Sequence, residues 1–309
     1  MKWSFSQHKT FKRCQRQWFY RNILASAIAK DQTRREASRL SKLTTVWAWR
    51  GKVVDAVLSD HVIPGIAAGR QVTVGSALAE ARRMFEAQRL LGLQGVSARS
   101  NGEAEGSFGG FVEVEYRQPF PEGTFDKAWQ DVELSIRNCF QNAPLIEQMR
   151  AARRVVTQRT LSFNHDGASV AARPDVICFY DNEPPLIVDW KVNTDPVRDF
   201  WLQLATYGIA LTRCNPHKDW PPLPSGITAC DVRLAEVQLL VQAVRKHTVT
   251  DEDIAQVSDL IYWSFQDMML ACGGQPSAKA LQAEAFDTAV SPGPCKTCQF
   301  RKLCSGGQP

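Results

Sequence analysis

Two acidic residues and one lysine stand inside strand-like runs that are otherwise apolar. Asp189 and Lys191 occur in PLIVDWKV, and Asp175 opens the preceding strand, in ARPDVICFY. Residues two apart on a strand face the same side, so Asp189 and Lys191 project together from an apolar run. Burying a charge is costly unless it is paired or binds a metal. A salt-bridged pair would satisfy this rule, but Asp175 lies only one hairpin away, and the three together predict a hard-cation site for Mg²⁺ or Mn²⁺.

A second group of residues suits a softer metal. Near the C-terminus, PCKTCQFRKLC contains Cys295, Cys298 and Cys304 in a Cys-x2-Cys-x5-Cys arrangement. Thiolate sites usually take four ligands, so the fourth must come from elsewhere in the chain. Five further cysteines stand singly in apolar or mixed surroundings, which predicts reduced, buried thiols; they are Cys139, Cys178, Cys214, Cys230 and Cys272.

The hydrophobic pattern predicts helices around a set of short strands. The predicted helices cover residues 7–24, 45–63, 76–92, 126–151, 197–212 and 250–271. Three β-branched runs separated by turn residues predict a β-meander; they are VVTQRTLSF, SVAARPDVICFY and PLIVDWKV. Residues 231–244 predict one more strand, and the Gly- and Ser-rich stretch at 97–110 predicts a loop. This order of elements indicates a mixed α/β fold with an N-terminal helical part.

The bulk composition limits the class of protein. The 309 residues are 44% hydrophobic, which is normal for a globular chain with a core, and the net charge of +5 permits a polyanionic ligand without requiring one. No apolar stretch is long enough to span a membrane and no secretory leader is evident, so a cytoplasmic protein is expected. Basic residues concentrate at 9–22 and 149–159, a pattern more often found on solvated helix faces than at nucleic-acid sites.

The acidic motif resembles that of the PD-(D/E)XK nuclease superfamily, in which one acid is followed after a hairpin by Asp-x-Lys. The next helix, FWLQLATYGIAL, carries Gln203 and Tyr207 four residues apart on one face. This Gln-x3-Tyr element resembles the RecB-like branch of the superfamily. The resemblance implies a PD-(D/E)XK core, that is, a mixed β-sheet flanked by helices.

The same resemblance implies roles for these residues. The two acids, Asp175 and Asp189, would bind Mg²⁺ or Mn²⁺ together with the backbone carbonyl of Trp190. Lys191 would orient or activate the attacking water. Gln203 and Tyr207 would contact DNA near the cut site.

One element departs from the RecB-like pattern. That pattern usually has Gly-x3-His on an early helix, with the histidine as a further metal ligand, whereas Asp55 stands four residues after Gly51. His61 is ten residues after Gly51 and faces another direction on an ideal helix. Aspartate is a competent ligand for a hard cation. Asp55 therefore either completes a site of three carboxylates or marks a metal site that the substitution has weakened.

The cysteines resemble those of an iron–sulfur subgroup that includes AddB and the CRISPR-adaptation exonucleases. In this subgroup one cysteine precedes the nuclease core and three follow it, and Cys14 in CQRQWFYRN resembles the first. The resemblance implies a 4Fe–4S cluster held by Cys14, Cys295, Cys298 and Cys304, which would tie the two ends of the chain together. Zinc accepts the same four thiolates and is the alternative.

The resemblance also divides the chain. The predicted parts are an N-terminal helical part at 1–64, a helical insertion at 65–150, the nuclease core at 151–272 and a cysteine segment at 273–309. The insertion matches no recognised pattern and serves either substrate gating or partner docking, or only packing.

The expected activity is metal-dependent hydrolysis of DNA that is single-stranded or has free ends, by an exonuclease or a single-strand nuclease. Four basic residues of the N-terminal helix are candidate contacts to the DNA backbone: Lys9, Lys12, Arg13 and Arg16. The family acts in DNA repair, CRISPR adaptation and phage defence, often beside a helicase. Because the chain has no Walker motif, a helicase or defence-complex subunit would be a separate protein. The rival expectation is a weak or inactive nucleic-acid-binding scaffold subunit.

Overall fold

The computed structural model describes residues 1–94, 108–193 and 200–304. Helices dominate the N-terminal half, and the strands lie mainly between residues 154 and 247. The helices are α1 (Phe5–Arg13), α2 (Gln15–Phe19), α3 (Gln32–Ser41), α4 (Val46–Val57), α5 (Ile63–Ala67), α6 (Val74–Leu93), α7 (Val112–Glu115), α8 (Thr124–Gln141), α9 (Ala143–Ala151), α10 (Phe200–Arg213), α11 (Asp251–Ala271) and α12 (Gly293–Lys296). The strands are β1 (Lys2–Trp3), β2 (Arg154–Thr157), β3 (Leu161–His165), β4 (Ala168–Ala172), β5 (Val176–Phe179), β6 (Leu186–Lys191), β7 (Arg233–Gln238) and β8 (Ala243–His247).

The strands form two mixed sheets. The five-stranded sheet has the order β2-β5-β6-β7-β8, with β6 and β7 parallel and the other neighbours antiparallel. The smaller sheet has the order β1-β4-β3, with β1 parallel to β4. The prediction of one continuous meander was therefore wrong. The run VVTQRTLSF breaks at Gln158, whose φ is 50°, and its two halves join different sheets.

Two hydrophobic clusters cover the faces of the five-stranded sheet, so its central strands are buried on both sides. All four residues of β5 and the first five of β6 are buried, which explains why their sequences lack polar alternation. On one face Ile187 packs with α10 and the N-terminal helices. On the other face Val188 packs with helices α4, α6 and α8. Helices from the predicted insertion thus share a core with the central strands.

Several predicted elements are interrupted. The helix predicted at 7–24 breaks at Cys14, whose backbone is extended, and continues after α2 as a π-helical turn. The helix predicted at 45–63 likewise passes into a π-helical turn over Leu58–Val62 before α5. The helix predicted at 126–151 is divided at Asn142, whose side chain accepts a bond from the Leu145 N–H and begins α9.

The strand predicted at 231–244 was also wrong, because it is the hairpin of β7 and β8. The turn includes Gln242, whose φ is 54°, a conformation more often adopted by glycine or asparagine. The predicted cap of the last long helix is confirmed, since Thr250 and Asp253 form a reciprocal capping box at the start of α11. The loop predicted at 97–110 lies, except for its last three residues, outside the described residues.

The two ends of the described chain pack together. The Tyr20 hydroxyl donates to the Leu303 carbonyl, the Gln17 amide donates to Gln299, and the Arg16 N–H donates to the Asp287 carbonyl. These contacts place α2 directly against the C-terminal segment. Among the described residues, no helix combines the length and apolar character needed to cross a membrane.

Candidate active site and cysteine cluster

A polar cavity of about 190 Å³ opens where α4, the ends of β5 and β6, and α10 meet. It is lined by every residue for which the sequence predicted a role in catalysis or in binding Mg²⁺ or Mn²⁺: Asp55, Asp175, Asp189, Trp190, Lys191, Gln203 and Tyr207. Gly51, Val54 and Val192 complete the wall. The fold thus gathers in one place side chains that are up to 152 residues apart in the sequence.

The hairpin of β5 and β6 brings the two central acids together. Val176 pairs with Val188, so Asp175 and Asp189, the next residues outward, lie at the same end of the two strands. Asp175 Oδ2 accepts a 2.8 Å hydrogen bond from the Trp190 backbone N–H. Lys191 forms an ion pair with Asp189. Contacts within the protein therefore orient both carboxylates at this end of the hairpin.

Burial makes ionisation of these acids unfavourable. It raises the pKa of Asp175 well above its ordinary value, and the neighbouring Asp189 and Asp55 carboxylates raise it further. Burial also raises the pKa of Asp189, although Lys191 and the Tyr207 hydroxyl act in the opposite direction. Like charges converge here with too little positive charge nearby to compensate them, which is the condition that a divalent cation relieves.

Helix α10 supplies a polar row to the same cavity. Gln203 and Tyr207 are one turn apart, and the Gln203 amide donates a 2.5 Å hydrogen bond to the Tyr207 hydroxyl. Lys191 Nζ donates to Gln203 Oε1 at 3.4 Å. The contacts thus run from Asp189 through Lys191 to Gln203 and Tyr207. They fix the positions of these side chains along one face of α10.

Asp55 reaches the cavity from α4, and its contacts include a residue that the sequence did not single out. Gln158 Nε2 donates to Asp55 Oδ1 at 2.7 Å and to Asp175 Oδ1 at 3.0 Å. The Ser59 hydroxyl also donates to Asp55 Oδ1, at 3.2 Å. Burial raises the pKa of Asp55, and the bond from Ser59 lowers it by a smaller amount. The amide of Gln158 thus holds Asp55 beside Asp175.

The donor atoms of this cavity suit a hard divalent cation. Among the described residues, no three histidine, cysteine or acidic side chains are arranged as a ready-made metal site. The acids instead bind protein donors: the Gln158 amide contacts Asp55 and Asp175, and the Lys191 ammonium group pairs with Asp189. Carboxylate, amide and backbone oxygens are nevertheless the ligands that Mg²⁺ and Mn²⁺ prefer, so the residues present fit such an ion.

The four predicted cluster cysteines lie where the chain ends meet, but among the described residues they are not arranged as a ready-made metal site. Burial raises the pKa of Cys298 to about 11, with further increases from Cys14, Cys304 and Cys295 in that order. The pKa of Cys295 is also raised, first by burial and then by Cys14 and Cys304. Backbone N–H groups point at two of the sulfurs, from Gln17 to Cys14 at 3.4 Å and from Phe300 to Cys298 at 3.5 Å. Four thiols, two of which accept backbone N–H contacts, suit zinc or an iron–sulfur cluster in their chemistry.

The other five cysteines lie apart from this group. Cys139, Cys178, Cys214 and Cys272 are buried, and Cys230 is partly buried. All nine are free thiols. The expectation of buried reduced thiols is therefore met by four of the five, and Cys230 is the exception.

Among the basic candidates, Lys9 lies beside the cavity. It is exposed, and its Nζ is 5.7 Å from the centroid of the Phe200 ring. Lys191 Nζ lies 4.4 Å from the same centroid. Both ammonium groups therefore lie near one buried aromatic ring.

The remaining three basic candidates already have protein partners. Lys12 forms a 2.9 Å ion pair with Asp267, and Arg13 donates to Gln17. Arg16 donates to the Phe286 carbonyl and lies 4.0 Å from the Cys304 sulfur. Of the four, Lys9 is the candidate with the clearest access to the site.

The sequence matches one protein family over nearly its whole length. The model of the PD-(D/E)XK nuclease superfamily matches residues 2–305. A comparison with curated proteins gave no significant match. Similar solved structures include SSO0001, with 15% identity and a TM-score of 0.30 over 64% of this chain and 80% of that one. Another, from Eubacterium rectale and described as a candidate exonuclease, has 12% identity and a TM-score of 0.35 over 92% of this chain and 93% of that one. At such TM-scores neither structure informs the function of this chain.

Proposed function

Because this chain belongs to the PD-(D/E)XK nuclease superfamily, whose members are generally phosphodiester hydrolases, we propose that it is a metal-dependent deoxyribonuclease of the RecB-like branch. One observation carries the proposal. Asp55, Asp175, Asp189 and Lys191 line a single cavity together with Gln203 and Tyr207. A degenerate relative that had lost its chemistry would be expected to lose part of this set.

The proposed metal ligands are Asp55, Asp175, Asp189 and the backbone carbonyl of Trp190. When bound, Mg²⁺ or Mn²⁺ lowers the pKa of a coordinated water and neutralises charge that develops on the scissile phosphate. Lys191 is held by Asp189 and Gln203, so its ammonium group is positioned to donate to a phosphate oxygen and to stabilise the pentavalent transition state.

The walls of the cavity support the binding of nucleic acid. Gln203 and Tyr207 offer hydrogen bonds along the α10 face, and Lys9 adds an exposed positive charge across the Phe200 ring from Lys191. Phosphate contacts of this kind fix the position of a strand without reading its sequence. Lys9 is thus the proposed contact to a phosphate beside the scissile one, whereas Lys12, Arg13 and Arg16 are secondary candidates.

We propose substrates with single strands or free ends, cut by an exonuclease or single-strand nuclease that acts in repair, CRISPR adaptation or antiviral defence, with any helicase as a separate partner. The motif from Asp175 to Tyr207 supports the RecB-like assignment at the level of sequence. The cytoplasm is the proposed location.

For the cysteine group we propose a structural 4Fe–4S cluster held by Cys14, Cys295, Cys298 and Cys304. Their mutual proximity and the N–H···S contacts from Gln17 and Phe300 support a shared four-thiolate site. Zinc is the alternative occupant, since it accepts the same donors. Iron, acid-labile sulfide and zinc analysis of protein purified without oxygen separates the two.

A cleavage assay tests the proposed activity. Purified protein should cleave labelled single-stranded or duplex DNA in Mg²⁺ or Mn²⁺ and should give no products in EDTA. The Asp189→Asn variant, purified in the same way, should be inactive. The rival is a non-catalytic binding subunit, which is favoured by the aspartate at position 55 in place of the usual histidine. Binding of DNA without cleavage under any of these metal conditions would establish that rival.

A further inference from the structure

Gln158 connects two acids that belong to different parts of the fold. Its Nε2 donates to Asp55 Oδ1 on α4 at 2.7 Å and to Asp175 Oδ1 before β5 at 3.0 Å. A longer contact of 3.4 Å joins the same nitrogen to the Ser59 hydroxyl, so the two bonds to the acids are the shortest that it makes. The neutral amide therefore lies between the two carboxylates and links them.

The backbone of Gln158 is held in an uncommon conformation. Its φ is 50°, in the left-handed region that residues other than glycine rarely adopt. Two further bonds fix it there: its own N–H donates to the Asp175 carbonyl at 3.0 Å, and Arg173 Nε donates to its carbonyl at 2.9 Å. Uncommon backbone conformations that the surrounding structure enforces are concentrated at functional sites. Here the enforced conformation directs the side chain between the two acids.

We propose that Gln158 is a positioning residue of the metal site: its amide nitrogen holds Asp55 beside Asp175, and its amide oxygen would serve as a ligand for a divalent cation held by these acids. This inference rests on the proposed metal-dependent function and adds a ligand to it. Gln158 is not one of the motif residues from which the sequence predicted the site.

The chemistry of the amide supports both halves of the role. An N–H group cannot ligate a cation, so Gln158 could serve as a ligand only through Oε1. The terminal torsion of glutamine is broad and nearly two-fold, so a half-turn exchanges Nε2 for Oε1 at small cost. The amide oxygen is a hard ligand of the kind that Mg²⁺ and Mn²⁺ accept. One side chain could thus link the two acids through Nε2 or offer Oε1 to a divalent cation that they hold.

Cation binding tests this role independently of cleavage. Isothermal titration with MnCl₂, and the rise in melting temperature caused by MgCl₂, should be measured for wild type, Gln158→Leu, Gln158→Gly and Gln158→Glu. We expect Gln158→Leu and Gln158→Gly to weaken Mn²⁺ binding by about 10–100-fold, as the loss of a supporting group does at metal sites. Gln158→Glu keeps an oxygen ligand and should bind Mn²⁺ at least as tightly as wild type.

Gln242 provides a matched control, because it is also a glutamine with left-handed backbone, at the turn between β7 and β8. Glycine removes the backbone restriction at either position, but Gln242→Gly should leave Mn²⁺ affinity unchanged. Equal Mn²⁺ affinity in wild type, Gln158→Leu and Gln158→Gly would overturn the inference while leaving the nuclease proposal intact. Absence of Mn²⁺ binding by wild type would overturn it as well. Loss of Mn²⁺ binding in the Gln158 variants of a protein that cuts no DNA would uphold the inference and reject the nuclease proposal.

Discussion

The carboxylate cavity and the cysteine cluster are both candidate metal sites, but the fold supports them differently. The cavity is built on the central strands β5 and β6, and protein groups already hold its acids: the Trp190 N–H and the Gln158 amide bind Asp175, and Lys191 pairs with Asp189. The cysteines lie on short elements where the two ends of the chain meet, and all four are only partly buried.

This difference predicts different consequences when the ions are removed. The cavity has internal substitutes for a cation, so its fold should survive in EDTA even though its activity does not. A metal held by the four cysteines would close a loop of almost the whole chain, and a link of that kind gains its stability chiefly by restricting the unfolded state. A metal at the cysteines should therefore matter most for stability, and a metal in the cavity for chemistry.

The largest expected effect is the loss of cleavage when the Asp189–Lys191 pair is altered. Asp189→Asn and Lys191→Gln should each lower the cleavage rate by at least about 10²–10³-fold, because each removes a group that stabilises charge in the transition state. Each single change also leaves a buried partner without its counter-charge, which costs about 3–5 kcal/mol. Cleavage rates and urea unfolding measured on the same preparations separate the two losses.

The double variant Asp189→Asn/Lys191→Gln sharpens this test. It removes both charges, so it should unfold at a higher urea concentration than either single variant while remaining inactive. If the double variant regained cleavage along with its stability, the single variants would have failed through folding and the chemistry would lie elsewhere.

The next largest effect concerns the cysteine cluster. Cys14→Ser and Cys298→Ser should each lower the melting temperature by roughly 10 °C, since loss of a ligand from a structural metal site costs several kcal/mol. The double variant should lose little more than either single variant, because both remove the same site. Cys230→Ser, outside the cluster, is the matched control and should change the melting temperature little. A silent Cys14→Ser beside an unfolded Cys298→Ser would show that Cys14 is not the fourth ligand.

Much of the cavity could be predicted from the sequence because its geometry is local. The two-residue period of a strand puts Asp189 and Lys191 on one side, and a single hairpin brings Asp175 beside them. Gln203 and Tyr207 follow from the helical period in the same way. Such relations depend on a few neighbouring residues, so the sequence contains them directly.

The bridge through Gln158 could not be predicted, because it depends on distant packing. The residue sits where one β-branched run leaves the large sheet for the small one, and no glycine, asparagine or proline marks that break. The turn at Gln242 between β7 and β8 also lacks glycine, asparagine and proline, so the sequence did not predict it. In both places the tertiary structure imposes a left-handed residue that local preferences disfavour.

A smaller effect should appear in the pH dependence of stability. Burial raises the pKa of Asp55 and Asp175, so the folded, ion-free protein binds more protons than the unfolded chain at pH values between their ordinary pKa, about 4, and the raised values. Its stability should therefore fall as the pH rises through that window. Mg²⁺ favours the deprotonated acids and should raise the melting temperature more at about pH 8 than at about pH 5.

Asp55 variants test whether α4 takes part in this response. Asp55→Asn should reduce both the Mg²⁺-induced rise and the cleavage rate, by about tenfold or more. Asp55→His should retain activity and shift its preference toward Mn²⁺, because imidazole suits softer divalent ions. If Asp55→Asn responded to Mg²⁺ and cut DNA like wild type, the site would operate with two acids and a lysine alone.

The smallest expected effect tests whether the cysteines alone hold the C-terminal segment against the rest of the protein. Glu115 at the end of α7 pairs with Arg39 and with Lys302, which lies between two cluster cysteines. Hydrogen bonding to Arg39, together with Lys302, lowers the pKa of Glu115 to about 2 even though burial opposes the shift. A folded-state pKa below the unfolded value means that this network stabilises the protein above about pH 4.5 and is lost as the pH falls toward 2.

Glu115→Gln should therefore cost on the order of 1–2 kcal/mol at neutral pH, less than the shift in pKa alone would suggest because the network is partly screened by solvent. Urea unfolding at pH 7 and at about pH 3 should show the cost shrinking with acid. Glu133→Gln, which breaks the exposed Glu133–Arg137 pair on α8, is the control and should cost only a few tenths of a kcal/mol. In a Cys298→Ser background the cost of Glu115→Gln should persist, because the ion pairs join the segment to α3 and α7 through groups that are not cluster ligands. If Glu115→Gln cost nothing in the Cys298→Ser background, the metal would be what positions Lys302. The C-terminal segment would then have no independent attachment at this point.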